Sequence, residues 1–164
     1  MTAASRTAAT GKPNAVLKAY QTLSPLPLGK TIFSRAVCWK APYFKTIQPR
    51  IVELRPGRSV ATMRKRHAVH NHLGTVHALA IGNLCEFVFG TAMEVSIPAH
   101  LRWIPKGMNI DYLAKAETDL TAEAEAPTDY PEVPAEMPVP VSVRDTGGKE
   151  VAKAVIRVWI TAKK

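Results

Sequence analysis

The stretch Asn71–Glu86, NHLGTVHALAIGNLCE, passes from polar residues and a glycine into an apolar run that continues to Ile97, and its reading decides the fold. His77, Asn83, Glu86 and Glu94 interrupt the run. A helix surrounded by lipid would hold such groups only at high cost, so the run reads as a helix buried in a protein core. Within it Ala78, Gly82, Glu86 and Gly90 recur at intervals of four, placing three small side chains and one carboxylate on a single face. Small residues allow a neighbour to approach closely, which is the ordinary role of Gly82 and Gly90. Glu86 differs. An unpaired carboxylate buried among Leu84, Cys85, Phe87, Val88 and Phe89 would be expensive, so it must face a partner, a metal or a cleft.

The residues leading into the helix, Asn71-His72-Leu73-Gly74-Thr75, are polar and turn-forming, with Thr75 the expected cap. Backbone N–H groups at a helix start lack intrahelical partners and sit at the positive end of the dipole. They can polarise a carbonyl or hold an oxyanion. Ala78 and Glu86 lie roughly 12 Å apart along the helix axis, too far to touch one carbonyl carbon together. Two antiparallel helices lying side by side would bring the start of one to the middle of the other. The spacing therefore predicts sites shared between two copies of the chain, two per dimer.

Working outward, residues 1–12 are short, polar and without periodicity and read as a disordered N-terminus. Residues 13–46 read as two helices capping the core. Val16, Leu17, Tyr20 and Leu23 follow an Asn14 cap and end before Pro25 and Pro27. Ile32, Phe33, Ala36, Val37 and Lys40 follow Gly29 and end at Pro42, and Trp39, Tyr43 and Phe44 are expected as core aromatics. Residues 47–164 read as the main domain. Alternation in RIVELRP and SVATMRKR around Pro56-Gly57 predicts a hairpin before the long helix. After it, MNIDYLAKA and DLTAEAEA read as strands, and EMPVPVSVRD with EVAKAVIRVWITA as a second hairpin around Asp145–Gly148. The prolines of 127–140 predict a loop leading into an edge-like strand. The order defines an α+β protein with one long helix packed on an antiparallel sheet, and a second copy is a natural cover for the helix's other side.

Composition agrees with one globular domain: 164 residues, 46% hydrophobic and 21% charged. The N-terminus lacks the apolar core of a signal peptide, and Cys38 and Cys85 are isolated, so a reducing, cytoplasmic setting is expected. The net charge of +9 is uneven, with 13 Lys/Arg against the single acid Glu53 in residues 1–75. Such asymmetry suits nucleic acid, an anionic surface or a polyphosphorylated ligand. No nucleic-acid-binding signature accompanies it, so nucleic acid is not an expected partner. His67, His70, His72 and His77 crowd eleven residues without a standard ligand framework, so no metal is expected.

The spacing of Asn71, Gly74, His77 and Glu86 resembles that of hotdog-fold thioesterases of the phenylacetate-pathway type, whose motif runs N-x-x-G-x-x-H-G-G before an acidic residue on the helix. GMNIDYLAKA at 107–116 looks like that family's strand after the helix. The N-terminal helices and the form NHLGTVH more closely resemble a bacterial hotdog group of acyl-CoA thioesterases.

The resemblance implies a hotdog fold, Glu86 as general base or nucleophile, Asn71 as the group positioning thioester or water, and the His77-Ala78 backbone as carbonyl polariser. Gly74, Thr75, Arg64, Lys65, Arg66 and Lys106 then become candidates for substrate and coenzyme A contacts, the cations through its phosphates. Two positions depart from the family pattern. Ala78-Leu79 replaces the double glycine, and Pro105 or Gly107 stands where a strand Ser or Thr often faces the site. The implied protein is a homodimer or dimer of dimers acting on acyl-CoA, with no cofactor and no stable membrane insertion. A non-catalytic hotdog protein that binds acyl groups is the rival reading.

Overall fold

The computed structural model describes residues 14–130 and 133–163; the expected disorder of residues 1–12 lies outside them. Two helices, α1 (Ala15–Leu23) and α2 (Gly29–Lys40), precede a 3-10 turn at Pro42–Thr46. Then come β1 (Arg50–Arg55), β2 (Arg58–Met63), the long helix α3 (Ala78–Ser96), β3 (Leu101–Tyr112), β4 (Leu120–Glu125), β5 (Ala135–Asp145) and β6 (Glu150–Ala162). Local chemistry sets the first boundaries as expected. The Asn14 side chain accepts from the Leu17 N–H at the start of α1, and the chain stops being helical before Pro25.

The six strands form one antiparallel sheet in the order β1-β2-β4-β5-β6-β3. It wraps α3, whose Leu84, Cys85, Phe87, Val88, Phe89, Ala92 and Met93 are fully buried against strands on both sides. Each such large side chain contributes about 1.5–3 kcal/mol when removed from water, so α3 and the inner sheet face make up the core. α3 is long and apolar enough by composition to cross a membrane, but 67% of its apolar window is buried inside the fold. Apolar composition here serves the core, as read from the interrupting polar residues.

The two ends of the sheet differ. At the β1 edge, the Ser34 hydroxyl accepts from the Ile51 N–H, and the Val52 carbonyl accepts from Tyr20 and Lys30. Side chains of α1 and α2 therefore occupy backbone groups of that edge. At the other end β3 pairs only with β6, and Ile104, Met108 and Tyr112 are exposed along it.

Three expectations change. The strand read from 107 begins already at Leu101 and ends at Tyr112, because a bulge between Pro105 and Gly107 lets a proline sit within a paired strand. The proline-rich strand is not an edge of the sheet: β5 lies between β4 and β6. Yet within β5 only Val141–Asp145 pairs with β4, so Pro138 and Pro140 occupy a half-strand whose β4 side is open, where a proline is tolerated. Third, Trp39 and Tyr43 are exposed, and of the expected core aromatics Phe44 alone packs inward, edge-on to Phe87 at 5.1 Å. The α2 pattern holds two apolar stripes, and Phe33 with Val37 faces the core while Ile32 with Trp39 faces out.

Candidate active site

Loop 71–77 is built around the Asn71 amide. Its Oδ1 accepts from the N–H groups of Leu73 at 2.9 Å and Thr75 at 3.2 Å, while Nδ2 donates to the Thr75 hydroxyl at 2.8 Å. The backbone closes the same turn, Asn71 N–H to the Thr75 carbonyl and Gly74 N–H to the Asn71 carbonyl. Gly74 sits at φ 76°, a left-handed conformation that a glycine adopts without strain. Asn71 is thus engaged in holding the loop, and Thr75 is buried as its partner.

Thr75 is consequently not the cap of α3. His77 is: its Nδ1 accepts from the Leu79 N–H at 3.0 Å, which places the ring proton on Nε2. The Ala80 and Ile81 N–H groups both reach the His77 carbonyl. That leaves the Ala78 N–H as the first-turn donor without a partner among the described residues, exposed and at the positive end of a 19-residue helix. The Ala78 carbonyl accepts from the Tyr112 hydroxyl at 3.1 Å, so the end of β3 braces the helix start. Partial desolvation raises the Tyr112 phenol above its ordinary pKa, with Cys85 adding to the shift. Tyr112 was not singled out by the sequence, because strand alternation carries no sign of this tie.

Two turns along α3, Glu86 is exposed rather than buried, so the cost argued for an enclosed carboxylate does not arise. Of the alternatives open to it, the cleft is what the fold provides. Glu86 lines a groove of about 280 Å³ with Pro105, Lys106, Gly107, Met108 and Ile156, and has no ion pair among the described residues. The small residues on this helix face have the expected packing role. A Cβ at Gly82 would stand 3.5 Å from the Met108 methyl and one at Gly90 3.6 Å from the Trp103 ring, so β3 side chains lie across the face. Trp103 also meets Phe89 edge-on at 5.2 Å. Pro105 and Gly107 border the groove without supplying a hydroxyl.

The basic candidates separate. Arg66 donates to the Thr46 carbonyl at 2.6 Å, and Lys106 lies over the Trp159 ring at 5.7 Å beside the Glu86 groove. Arg64 is exposed, and the Lys65 backbone N–H is held by Asp119. His67 and His70 have ring centroids 6.2 Å apart, and no cluster of three His, Cys, Asp or Glu among the described residues could hold a metal. Cys85 lies in the core as expected, its thiol pushed up to about 12 by burial. Ala78 and Glu86 of one chain do not converge: they stand eight residues apart on α3, roughly 12 Å along the axis, and Met108 lies across the buried Gly82 midway.

A six-stranded antiparallel sheet wrapped around one long helix, with a polar loop feeding the helix start, defines a hotdog fold. The chain belongs to the family described as a domain of unknown function, DUF4442, which matches residues 29–160. No curated protein matches the sequence. Among solved structures, a structural-genomics target shares 37% identity, with a TM-score of 0.80 over 92% of this chain and 100% of that one. A Pseudomonas aeruginosa protein of unknown function, described as a probable thioesterase, shares 22% identity with a TM-score of 0.72, covering 84% and 97% of the two chains. A thioesterase from Haemophilus influenzae shares 15% identity with a TM-score of 0.65, covering 73% and 82%. The likeness to the latter two is one of fold.

Proposed function

We propose that the protein is an acyl-CoA thioesterase working as a homodimer with two shared sites. The observation that carries this reading is the pair of unspent groups on α3: the Ala78 N–H at its start and the Glu86 carboxylate in the groove. Joining β3 to β3 of a second copy would extend the sheet across the seam, cover Ile104 and Met108, and set two α3 helices side by side. Ala78 of one chain would then face Glu86 of the other.

In such a site the thioester carbonyl accepts from the Ala78 N–H, and Glu86 takes a proton from water as the hydroxide adds to the carbonyl carbon. Collapse of the oxyanion breaks the C–S bond. The thiolate of coenzyme A leaves, taking the proton from Glu86, and the product is a carboxylic acid. Direct attack by Glu86, through a mixed anhydride that water then opens, uses the same groups. Asn71 acts through the loop it holds, and His77 through its cap. Arg64, Lys65 and Lys106 supply positive charge for the phosphates of coenzyme A.

Thiol release measured over acyl-CoAs of increasing length, with Glu86→Gln and Glu86→Ala beside wild type, tests the proposal. Loss of roughly two orders of magnitude or more in kcat is expected; unchanged hydrolysis in both variants rejects the assignment. Leu79, exposed at the helix start where relatives of the resembled type carry glycine, favours one rival, an acyl-binding protein without turnover. Saturable acyl-CoA binding with no thiol release by wild type decides for it.

A further inference from the structure

The exposed face of α2 carries an apolar stripe that the described residues leave uncovered. Leu28, Ile32 and Trp39 recur at spacings of four and seven, which puts them within about 40° of one another around the helix. They are 75%, 54% and 78% exposed, and Tyr43 beyond the helix is 70% exposed. The opposite face, Phe33, Ser34, Val37 and Cys38, already packs the helix onto the protein. An apolar stripe of this size that no described residue covers marks a docking face. Leu28 is held at φ 60°, a left-handed conformation disfavoured for a branched side chain, while its side chain projects into solvent.

Charge identifies the occupant. Arg35 and Lys40 flank the stripe on either side, Lys18 and Lys45 are exposed on the elements next to it, and residues 14–52 contain no acid. The first acid along the chain, Glu53, is already taken by Arg55 at 2.9 Å and Arg58 at 3.4 Å. A second copy docking through this face about a two-fold axis would set Arg35 and Lys40 against cations of its own kind. An anionic lipid surface offers the opposite: phosphate charge for the cations and an interfacial layer in which Trp and Tyr rings and short aliphatic side chains settle. The patch lies beside the β1 edge, at the end of the sheet away from β3, so it stays available when β3 is covered.

We propose that α2 docks the protein reversibly on membranes bearing anionic headgroups, through Leu28, Ile32, Trp39 and Tyr43 with Arg35 and Lys40 as the electrostatic rim. The docking is peripheral, and it is independent of what the Glu86 groove turns over.

The test is sedimentation of the full protein with vesicles of neutral phosphatidylcholine, with and without a third of anionic phosphatidylglycerol. Binding to the anionic vesicles is expected, reduced by salt, with a blue shift of tryptophan emission that is lost in Trp39→Phe. Arg35→Glu with Lys40→Glu should weaken binding about twentyfold or more, at roughly fivefold for each charge removed. Leu28→Gly, which relieves the left-handed residue, should weaken binding without lowering the melting temperature. Equal partition on neutral and anionic vesicles, or retention unchanged by these substitutions, overturns the proposal. So does light scattering that shows the same substitutions splitting a larger assembly in solution, which would make the face a contact between copies.

Discussion

The Tyr112 hydroxyl donates to the Ala78 carbonyl at 3.1 Å and so fixes the last residue of β3 to the first residue of α3. The held carbonyl and the free N–H belong to the same residue, in the two peptide planes that meet at the Ala78 Cα. Tyr112→Phe keeps the ring and removes the bond, costing about 1 kcal/mol of stability. Its larger expected effect is on kcat, with KM nearly unchanged, because orientation of the donor matters most in the transition state. Steady-state kinetics with a melting curve on the same sample checks both.

Asn71→Ala removes three hydrogen bonds from one loop and leaves the Leu73 and Thr75 N–H groups without their acceptor. A loss of about 1–3 kcal/mol in urea unfolding is expected, with activity falling further than stability. Asn71→Asp keeps the acceptor and should retain more stability than Ala.

His77→Ala uncaps α3 and should cost about 1 kcal/mol, read as a lower melting temperature. Recovery in His77→Asn, which offers a different acceptor to the same N–H, separates capping from any role of the ring itself. If Asn restores stability but not turnover, the imidazole has a second task.

Cys85 supplies a pH dependence with a definite sign. Its folded pKa of about 12 lies above the ordinary 9, so the folded state holds its proton more tightly than the unfolded state. The contribution is complete below pH 9 and is lost as the pH rises from 9 towards 12. It amounts to about 4 kcal/mol, and Cys85→Ser or Cys85→Ala should flatten the alkaline limb of a stability-against-pH curve.

Gly82→Ala places a methyl 3.5 Å from Met108, an ordinary contact, and removes a helix-interior glycine. Stability should be unchanged or rise by up to about 1 kcal/mol, measured by denaturant midpoint, while the groove beside Glu86 narrows.

Much of this architecture was legible where proline, glycine and capping residues punctuate the chain. The Asn14 cap, the Pro56-Gly57 turn and the Asp145–Gly148 turn act through contacts a few residues long, so sequence reports them directly. Helix α3 was legible because its apolar run is long and its polar interruptions are few. What escaped depends on distant partners. Thr75 looked like the cap, but Asn71 claims it and leaves the role to His77. Periodicity in α2 put Ile32, Phe33, Ala36 and Val37 in one pattern, but the contact with β1 through Ser34 turns Phe33 and Val37 to the core and leaves Ile32 and Ala36 outside. The neighbours of Glu86 in sequence left it facing a partner, a metal or a cleft; which of these it meets is decided by β3, whose bulge at Pro105 borders the groove beside the carboxylate.

The two unlike ends of the sheet limit how the molecule can grow. With the Ile51 N–H and Val52 carbonyl of β1 taken by Ser34, Tyr20 and Lys30, and Pro138 and Pro140 lacking an N–H in the open half of β5, β3 is among the described residues the edge best placed to meet another strand. Such a protein has a strand-pairing valence of one. In the proposed dimer, union through β3 would use that valence on both sides, so strand addition through the described edges would end at a pair rather than propagate into a fibre.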